Sequence, residues 1–295
     1  MNLLTHRVKV PTSLLVTVAM ALGLSLAVGV GDAHSSPSAL ASAKWQPVSA
    51  TVLSELTSVP SSVFDQVAIS SGSVTVTPPY VLNRQPLLSS TSASGAVLPE
   101  VLFMGAEYCP YCAAQRWSTI IALSRFGTFH NLGDIASASQ EVYPSTASFT
   151  FVKASYVSKY LVFKSVELYT NVFDSSTGFY STLQKPTALE NAEFTKYDNS
   201  KFISGMPAAD DQSIPFITLG NRFVVVGASY SPAILHHLSR DAIAAGLSHP
   251  TNSVTRAIIS SANFQTADLC VLTKGMPVSV CQSSGVRAAA TALHL

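Results

Sequence analysis

Apolar and polar positions alternate along this chain in several distinct ways, and each pattern predicts a different element. An uncharged stretch from Val10 to Gly31, containing LLVTVAMALGLSLAVGV, follows His6, Arg7 and Lys9. At roughly 20 residues it is long enough to cross a bilayer once, and the basic residues before it supply the n-region of an export signal. Val97 to Ala106 (VLPEVLFMGA) is a nearly continuous apolar run, as expected of a short strand buried on both faces. In AAQRWSTIIALSRF the residues Ala113, Trp117, Ile120, Ile121 and Leu123 recur at helical spacing, and Gly127 closes the segment.

β-Branched and aromatic content predicts strands over 147–153 (ASFTFVK) and 160–169 (YLVFKSVELY). From Ile214 to Gly227 two apolar strands flank Gly220-Asn221, a hairpin signal. Ser231-Pro232 reads as a serine cap with proline in the first turn of a helix running to about Gly246. A second helical stretch covers 252–272, and SSVFDQVAIS admits either a short helix or a strand. The intervals are polar. Residues 32–50 (DAHSSPSALASAKWQPVSA) read as a flexible linker. A Ser/Pro-rich stretch, TPPYVLNRQPLLSSTSASG, leads to Val97, and 171–212 reads as a helical insertion or lid. The organisation expected is a signal peptide or N-terminal membrane anchor at 1–31, the linker at 32–50, and one α/β domain at 51–295 with that insertion.

Composition narrows the function classes. The chain has 295 residues, 47% of them apolar and only 11% charged, with a formal net charge of +1. The apolar fraction suffices for a sizeable core, and the charged fraction is well under the roughly 25% usual in soluble domains. No run of Lys or Arg occurs, so the clustered cations that nucleic-acid binding requires are missing and no nucleic-acid partner is expected. The apolar run exceeds the core of about 7–15 residues usual for a cleaved signal, which favours an anchor with the remainder of the chain outside. Gly31-Asp32-Ala33 and Ala41-Ser42-Ala43 are nonetheless small-residue cleavage sites, so secretion stays open.

Four cysteines occur: Cys109, Cys112, Cys270 and Cys281. An even number in an exported chain favours disulfides. Cys109-Pro110-Tyr111-Cys112 stands between the predicted strand and the predicted helix, so Cys109 falls in the first helical turn. There the unpaired backbone N–H groups and the positive end of the helix dipole favour a thiolate. Cys112 lies one turn on, within reach of a disulfide, and Pro110 suits a helix start. Accessible and partly ionised, Cys109 would be the nucleophile of dithiol–disulfide exchange.

Two blander readings are a zinc half-site and an inert structural bond. Zinc needs two further ligands, yet no second Cys-x-x-Cys occurs. The seven histidines show no completing spacing, with His236 and His237 adjacent on a predicted helix and pointing apart. Cys270 and Cys281 flank VLTKGMPVSV, in which Gly275 and Pro277 make a turn. A disulfide there would close a loop of about a dozen residues, worth about 2–3 kcal/mol. It reads as a structural staple, the alternative being a second redox pair that relays electrons. No Ser-His-Asp order, phosphate-cradling glycine loop or metal-binding helix motif is present, and no cofactor or metal is expected.

FMGAEYCPYCAAQRW resembles the active-site segment of the thioredoxin superfamily, and the stretch from about Leu98 to Gly127, ending LSRFGTF, resembles a family of membrane-associated thioredoxin-like proteins known as DUF929. The resemblance implies a thioredoxin-like fold, a central mixed sheet flanked by helices, here with a helical insertion and a C-terminal helical extension. It also implies a cis-proline facing the dithiol, for which Pro215 is the match. Two departures matter. The buried acid expected six residues before the first cysteine is replaced by Phe103, and Glu107, nearer in sequence, is expected to be exposed. The interval from Lys153 to Pro215 is also long, as if shaped for a partner.

The function implied is an extracytoplasmic thiol–disulfide oxidoreductase acting on protein thiols and disulfides through Cys109, Cys112 and Pro215. The alternatives are a non-enzymatic binding or assembly module with a permanently closed disulfide, and capture of copper or zinc by the thiol pair.

Overall fold

A computed structural model describes residues 45–295. The signal or anchor expected at 1–31, and the linker expected at 32–50 as far as residue 44, lie outside them. Residues 45–50 are part of the domain rather than a tether. Strand β1 (Gln46–Pro47) pairs antiparallel with Asp134 and Gly133. The Ser49 hydroxyl then caps helix α1 (Ala50–Thr57) by accepting the Val52 N–H. SSVFDQVAIS forms a helix, α2 (Ser61–Val67), which buries Val63, Phe64 and Val67.

Next come β2 (Tyr80–Val81), β3 (Ser89–Thr91), β4 (Val97–Gly105) and helix α3 (Pro110–Ser124). The chain continues through β5 (Thr128–His130), β6 (Gly133–Ala136), β7 (Ala147–Thr150), β8 (Ser155–Val157) and β9 (Val162–Glu167). Strands β10 (Tyr169–Asp174) and β11 (Phe179–Thr182) and helix α4 (Ala188–Tyr197) follow. Strands β12 (Phe216–Leu219) and β13 (Phe223–Val226) precede helices α5 (Arg240–Gly246), α6 (Ser253–Leu272), α7 (Val278–Cys281) and α8 (Ser284–Ala292).

The central sheet is mixed. β4 pairs in parallel with β9 and antiparallel with β12, which in turn pairs antiparallel with β13; β3 and β2 extend the edges. Because strand side chains alternate between faces, β4 feeds two cores. Val101 and Phe103 join Ile217, Phe223, Trp117, Ile121 and Ile258 on one face. Leu102 and Met104 join Phe216, Val226, Phe194, Tyr197 and both unpaired cysteines on the other. The turn between β12 and β13 has Gly220 and Asn221 at φ +61° and +55°, the two positive values a tight hairpin requires. A smaller sheet, β1-β6-β7, packs on α3, where Trp117 donates its indole N–H to the Ala147 carbonyl at 3.0 Å and meets the Phe149 ring edge-on at 4.6 Å.

Two expectations need correction. The insertion expected to be helical over 171–212 opens with the β10–β11 hairpin, and only α4 is an α-helix there. Aromatic and β-branched residues from Tyr169 to Thr182 favour strands, and Gly178 at φ +71° ends the turn between them. Helix α4 is started by a reciprocal cap between Thr187 and Glu190. The helix expected from Ser231 to Gly246 is broken. Ser231 and Pro232 start only a 3-10 turn, Pro232–Leu235, and His237 at φ +65° reverses the chain. Ser239 then caps α5 afresh. His236 and His237 accordingly stack, with centroids 3.6 Å apart, instead of pointing apart on a helix.

Among the described residues no helix is long and apolar enough to cross a membrane. The C-terminal helices are tied together by a disulfide between Cys270, in the last turn of α6, and Cys281, at the end of α7. Replacing both with alanine frees a loop with a sequence separation of 11. The variant is expected to lose about 3 kcal/mol, read as a lower urea midpoint.

A buried dithiol as the candidate functional site

The site forms where β4 ends. The β4–β12 register pairs Met104 with Phe216, so the C-terminal end of β4 lies beside the N-terminal end of β12. The segment after Gly105 and the segment before Phe216 are thereby brought together: Cys109 on one, the cis Ile214–Pro215 bond on the other. Gly105 permits the approach. A Cβ there would lie 2.6 Å from the Phe103 ring and 3.3 Å from the Cys112 sulfur, so a side chain would collide with Phe103 and crowd Cys112.

Cys109 is the N-cap of α3. Its backbone is extended (φ −77°, ψ 120°), and its Sγ accepts the Cys112 N–H at 3.2 Å, the contact a serine or aspartate oxygen makes in an ordinary cap. The Cys109 thiol points to the Ile214 carbonyl oxygen at 3.8 Å. Cys109 and Cys112 are not bonded to each other. Both are fully buried, at 0% exposure, which corrects the expectation of an accessible Cys109. Burial and the neighbouring Cys109 push the Cys112 thiol well above its ordinary range, against a downward pull from Arg116 and the Ala106 backbone.

The residues flanking Cys109 in sequence, Tyr108 and Tyr111, pack among aromatic rings in the same buried cluster. Tyr108 stacks on Tyr180 at 4.2 Å and meets Phe179 edge-on at 5.6 Å, both from β11, with Tyr169 of β10 6.1 Å away. These rings are pinned by polar contacts: the Tyr180 hydroxyl donates to Glu141 at 2.8 Å, and the Glu107 N–H to the Tyr169 carbonyl at 2.9 Å. On another side Tyr111 meets Tyr143 edge-on at 6.1 Å, and Tyr143 meets His236 at 6.4 Å.

Beneath the dithiol lies an ion pair that sequence reasoning missed. Arg116, one turn after Cys112, donates through Nε and Nη2 to Glu167 at 3.1 and 2.5 Å, both side chains being fully buried. Nη2 also donates to the Ala106 carbonyl at 2.9 Å. Phe103 occupies the position where the resemblance implied an acid; it is fully buried, packed edge-on against Phe151 at 5.1 Å with the Arg116 guanidinium 5.4 Å from its ring centre. Glu107 is 9% exposed rather than open to solvent. Burial raises its carboxyl above the ordinary value, against a hydrogen bond to Thr150; Glu167 adds to the rise and Arg116 opposes it. A sequence signal for Arg116 existed: it is the one cation in AAQRWSTIIALS, on a helix whose other positions are apolar or uncharged. Nothing in the sequence singles out Glu167 as its partner.

Cys270 and Cys281 are bonded to each other, apart from the start of α3. Among the described residues no group of three or more His, Cys, Asp or Glu side chains is placed to hold a metal ion.

The chain belongs to the family described as domain of unknown function DUF929, whose profile matches residues 87–271. The match takes in β4, the dithiol, Arg116, Glu167 and Pro215. No curated protein and no solved structure matches the chain.

Glu107 gives the site a pH signature. A carboxyl whose folded pKa is raised binds more protons in the folded than in the unfolded chain, so stability falls as pH rises from the ordinary carboxylate value through the folded one. Glu107→Gln removes that component. Its urea midpoint is expected to gain on wild type as pH rises above the ordinary carboxylate value and to level off once Glu107 is ionised in the folded chain, and a pH-independent difference would contradict the assignment.

Proposed function

We propose that this chain is a thioredoxin-like thiol–disulfide oxidoreductase acting on protein substrates outside the cytoplasm. One observation carries the reading: the Cys109 sulfur sits at the start of α3, receives the Cys112 N–H at 3.2 Å, and faces the Ile214 carbonyl beside cis Pro215 at 3.8 Å. The fold supports it. A buried strand leads into the dithiol and the dithiol into a helix, while the proline opposite opens a strand–turn–strand, as the family resemblance implies. Export is supported by the basic residues and long apolar run before residue 32.

The chemistry follows from thiolate displacement. The Cys109 thiolate attacks a substrate disulfide, forming a Cys109–substrate bond and releasing the other substrate sulfur as a thiolate. Cys112, deprotonated, then attacks the Cys109 sulfur; the mixed disulfide breaks, the second substrate sulfur leaves, and Cys109–Cys112 closes. In the opposite direction the closed pair oxidises a substrate dithiol by the same steps. Pro215 is assigned to the substrate backbone, because its loop presents the Ile214 carbonyl next to the reacting sulfur. Burial of Cys109 requires the aromatic cover over Tyr108 to part before a substrate sulfur can approach. The cover then selects for extended chains able to enter beside β12.

The same burial, with Phe103 at the acid position, favours a second reading: a binding module whose disulfide, once closed, stays closed. The two differ in redox poise, since a Cys109–Cys112 potential below about −300 mV is that of a structural bond.

Trapping tests the first reading. Cys112→Ala in the exported protein is expected to accumulate mixed disulfides with other proteins through Cys109, and Cys109→Ser to abolish insulin disulfide exchange. A Cys109→Ser protein as active as wild type, or a Cys112→Ala protein that captures nothing, would overturn it.

A further inference from the structure

We infer that Arg116 poises the dithiol: its guanidinium, held one helical turn from Cys112 by Glu167 and the Ala106 carbonyl, stabilises the one thiolate that reduction leaves on the pair and makes the Cys109–Cys112 disulfide more oxidising. The inference rests on the oxidoreductase reading and assigns Arg116 as a positioning residue for it.

Placement is the first argument. Cys112 and Arg116 are four residues apart on α3, so they share one face of the helix a turn apart. Both are fully buried, and water does not screen one from the other. The Ala106 carbonyl that holds Nη2 also accepts the Cys109 N–H at 3.4 Å, so the guanidinium and the dithiol share an anchor.

The second argument is donor accounting. A guanidinium has five N–H donors. Nε and Nη2 are used, whereas Nη1 is buried without a hydrogen-bond partner among the described residues. A buried charged donor left unmatched is costly, and an anionic sulfur offsets that cost in only one redox state. The electrostatics agree: the guanidinium pulls Cys112 down against burial, and both sulfurs pull Arg116 up. Of the facing carboxyls, Glu167 is committed to Arg116 by two hydrogen bonds, and Glu107 is pushed toward its neutral form by burial. Glu167 therefore tempers the cation, and removing the two partners has opposite effects.

Equilibration with glutathione reads this directly. The closed pair and two reduced glutathione molecules give the reduced pair and one glutathione disulfide: two electrons pass to the protein sulfurs, one sulfur takes a proton, and the other is held as a thiolate while the second glutathione proton goes to solvent. Wild type, Arg116→Met, Glu167→Gln and the double variant Arg116→Met/Glu167→Met are held at fixed glutathione ratios. They are then acid-quenched and alkylated, and the closed fraction is read by mass. Arg116→Met is expected to lower the equilibrium constant for reduction about tenfold, a shift of about 30 mV toward reducing. Glu167→Gln is expected to shift it the other way. The double variant, which leaves no buried charge unpaired and so guards against misfolding of the single ones, is expected to follow Arg116→Met.

Single variants that shift the constant in the same direction, or a double variant with the wild-type constant, would overturn the inference while leaving the oxidoreductase reading standing. Wild type that never closes Cys109–Cys112 at any ratio would overturn both.

Discussion

The buried pair of Arg116 and Glu167 is the constraint on which the rest of this molecule depends. Neither side chain reaches solvent, and stripping water from two ions costs several kcal/mol each unless geometry restores it. Here it does. The guanidinium meets both carboxylate oxygens, the Ala106 carbonyl takes a further hydrogen bond, and the Phe151 N–H donates to Glu167 at 3.3 Å. Helix α3, the end of β9, the turn before the dithiol and the end of β7 thus meet at one point. Such an arrangement tolerates little displacement, because the loss of either partner strands a charge in the core. The dithiol inherits that rigidity.

Seen from the pair, the site's other features follow. The parallel β4–β9 register sets Gly105 opposite Glu167, and the missing side chain of Gly105 leaves room for the Phe103 ring beside the Cys112 sulfur. The antiparallel β4–β12 register brings Pro215 to the same end of the sheet. Those two pairings, one on each side of a single strand, account for the site's assembly without any contact peculiar to the cysteines. The aromatic cover is a separate layer. It is built on the β10–β11 hairpin, whose two strands pair only with each other and which rests on Tyr108 by ring packing and a few hydrogen bonds. A rigid floor beneath a hairpin held by ring packing and a few hydrogen bonds suits the oxidoreductase reading proposed above. Local opening of such elements takes less free energy than global unfolding.

Much of this was legible in the sequence, and the boundary of legibility is physical. β4, α3, the β12–β13 hairpin and α6 could be read because each is set by local periodicity, a cap or a turn dipeptide. The family could be read from the residues around the Cys-Pro-Tyr-Cys segment. The Cys270–Cys281 pair followed from its short loop. What escaped depends on tertiary contact. Burial of Glu107 and the packing around Tyr108 draw on a hairpin that joins the domain more than fifty residues later in the chain, and the insertion's mixed polarity concealed its strands. Helix 231–246 is broken because His237 turns the chain at φ +65° and Ser239, eight residues after Ser231, caps a fresh helix. Glu167 looked like any strand-end acid until the parallel pairing placed it under α3.

The central claim is that a sealed dithiol is nonetheless reactive through local opening of its cover. The most direct measurement is the alkylation rate of Cys109 in reduced, folded Cys112→Ala protein, compared with the rate of global unfolding under the same conditions. The account predicts labelling slower than for a free thiol but far faster than unfolding, with further acceleration when Tyr180→Ala removes the ring stacked on Tyr108. Labelling that never outruns unfolding, in either protein, would contradict it.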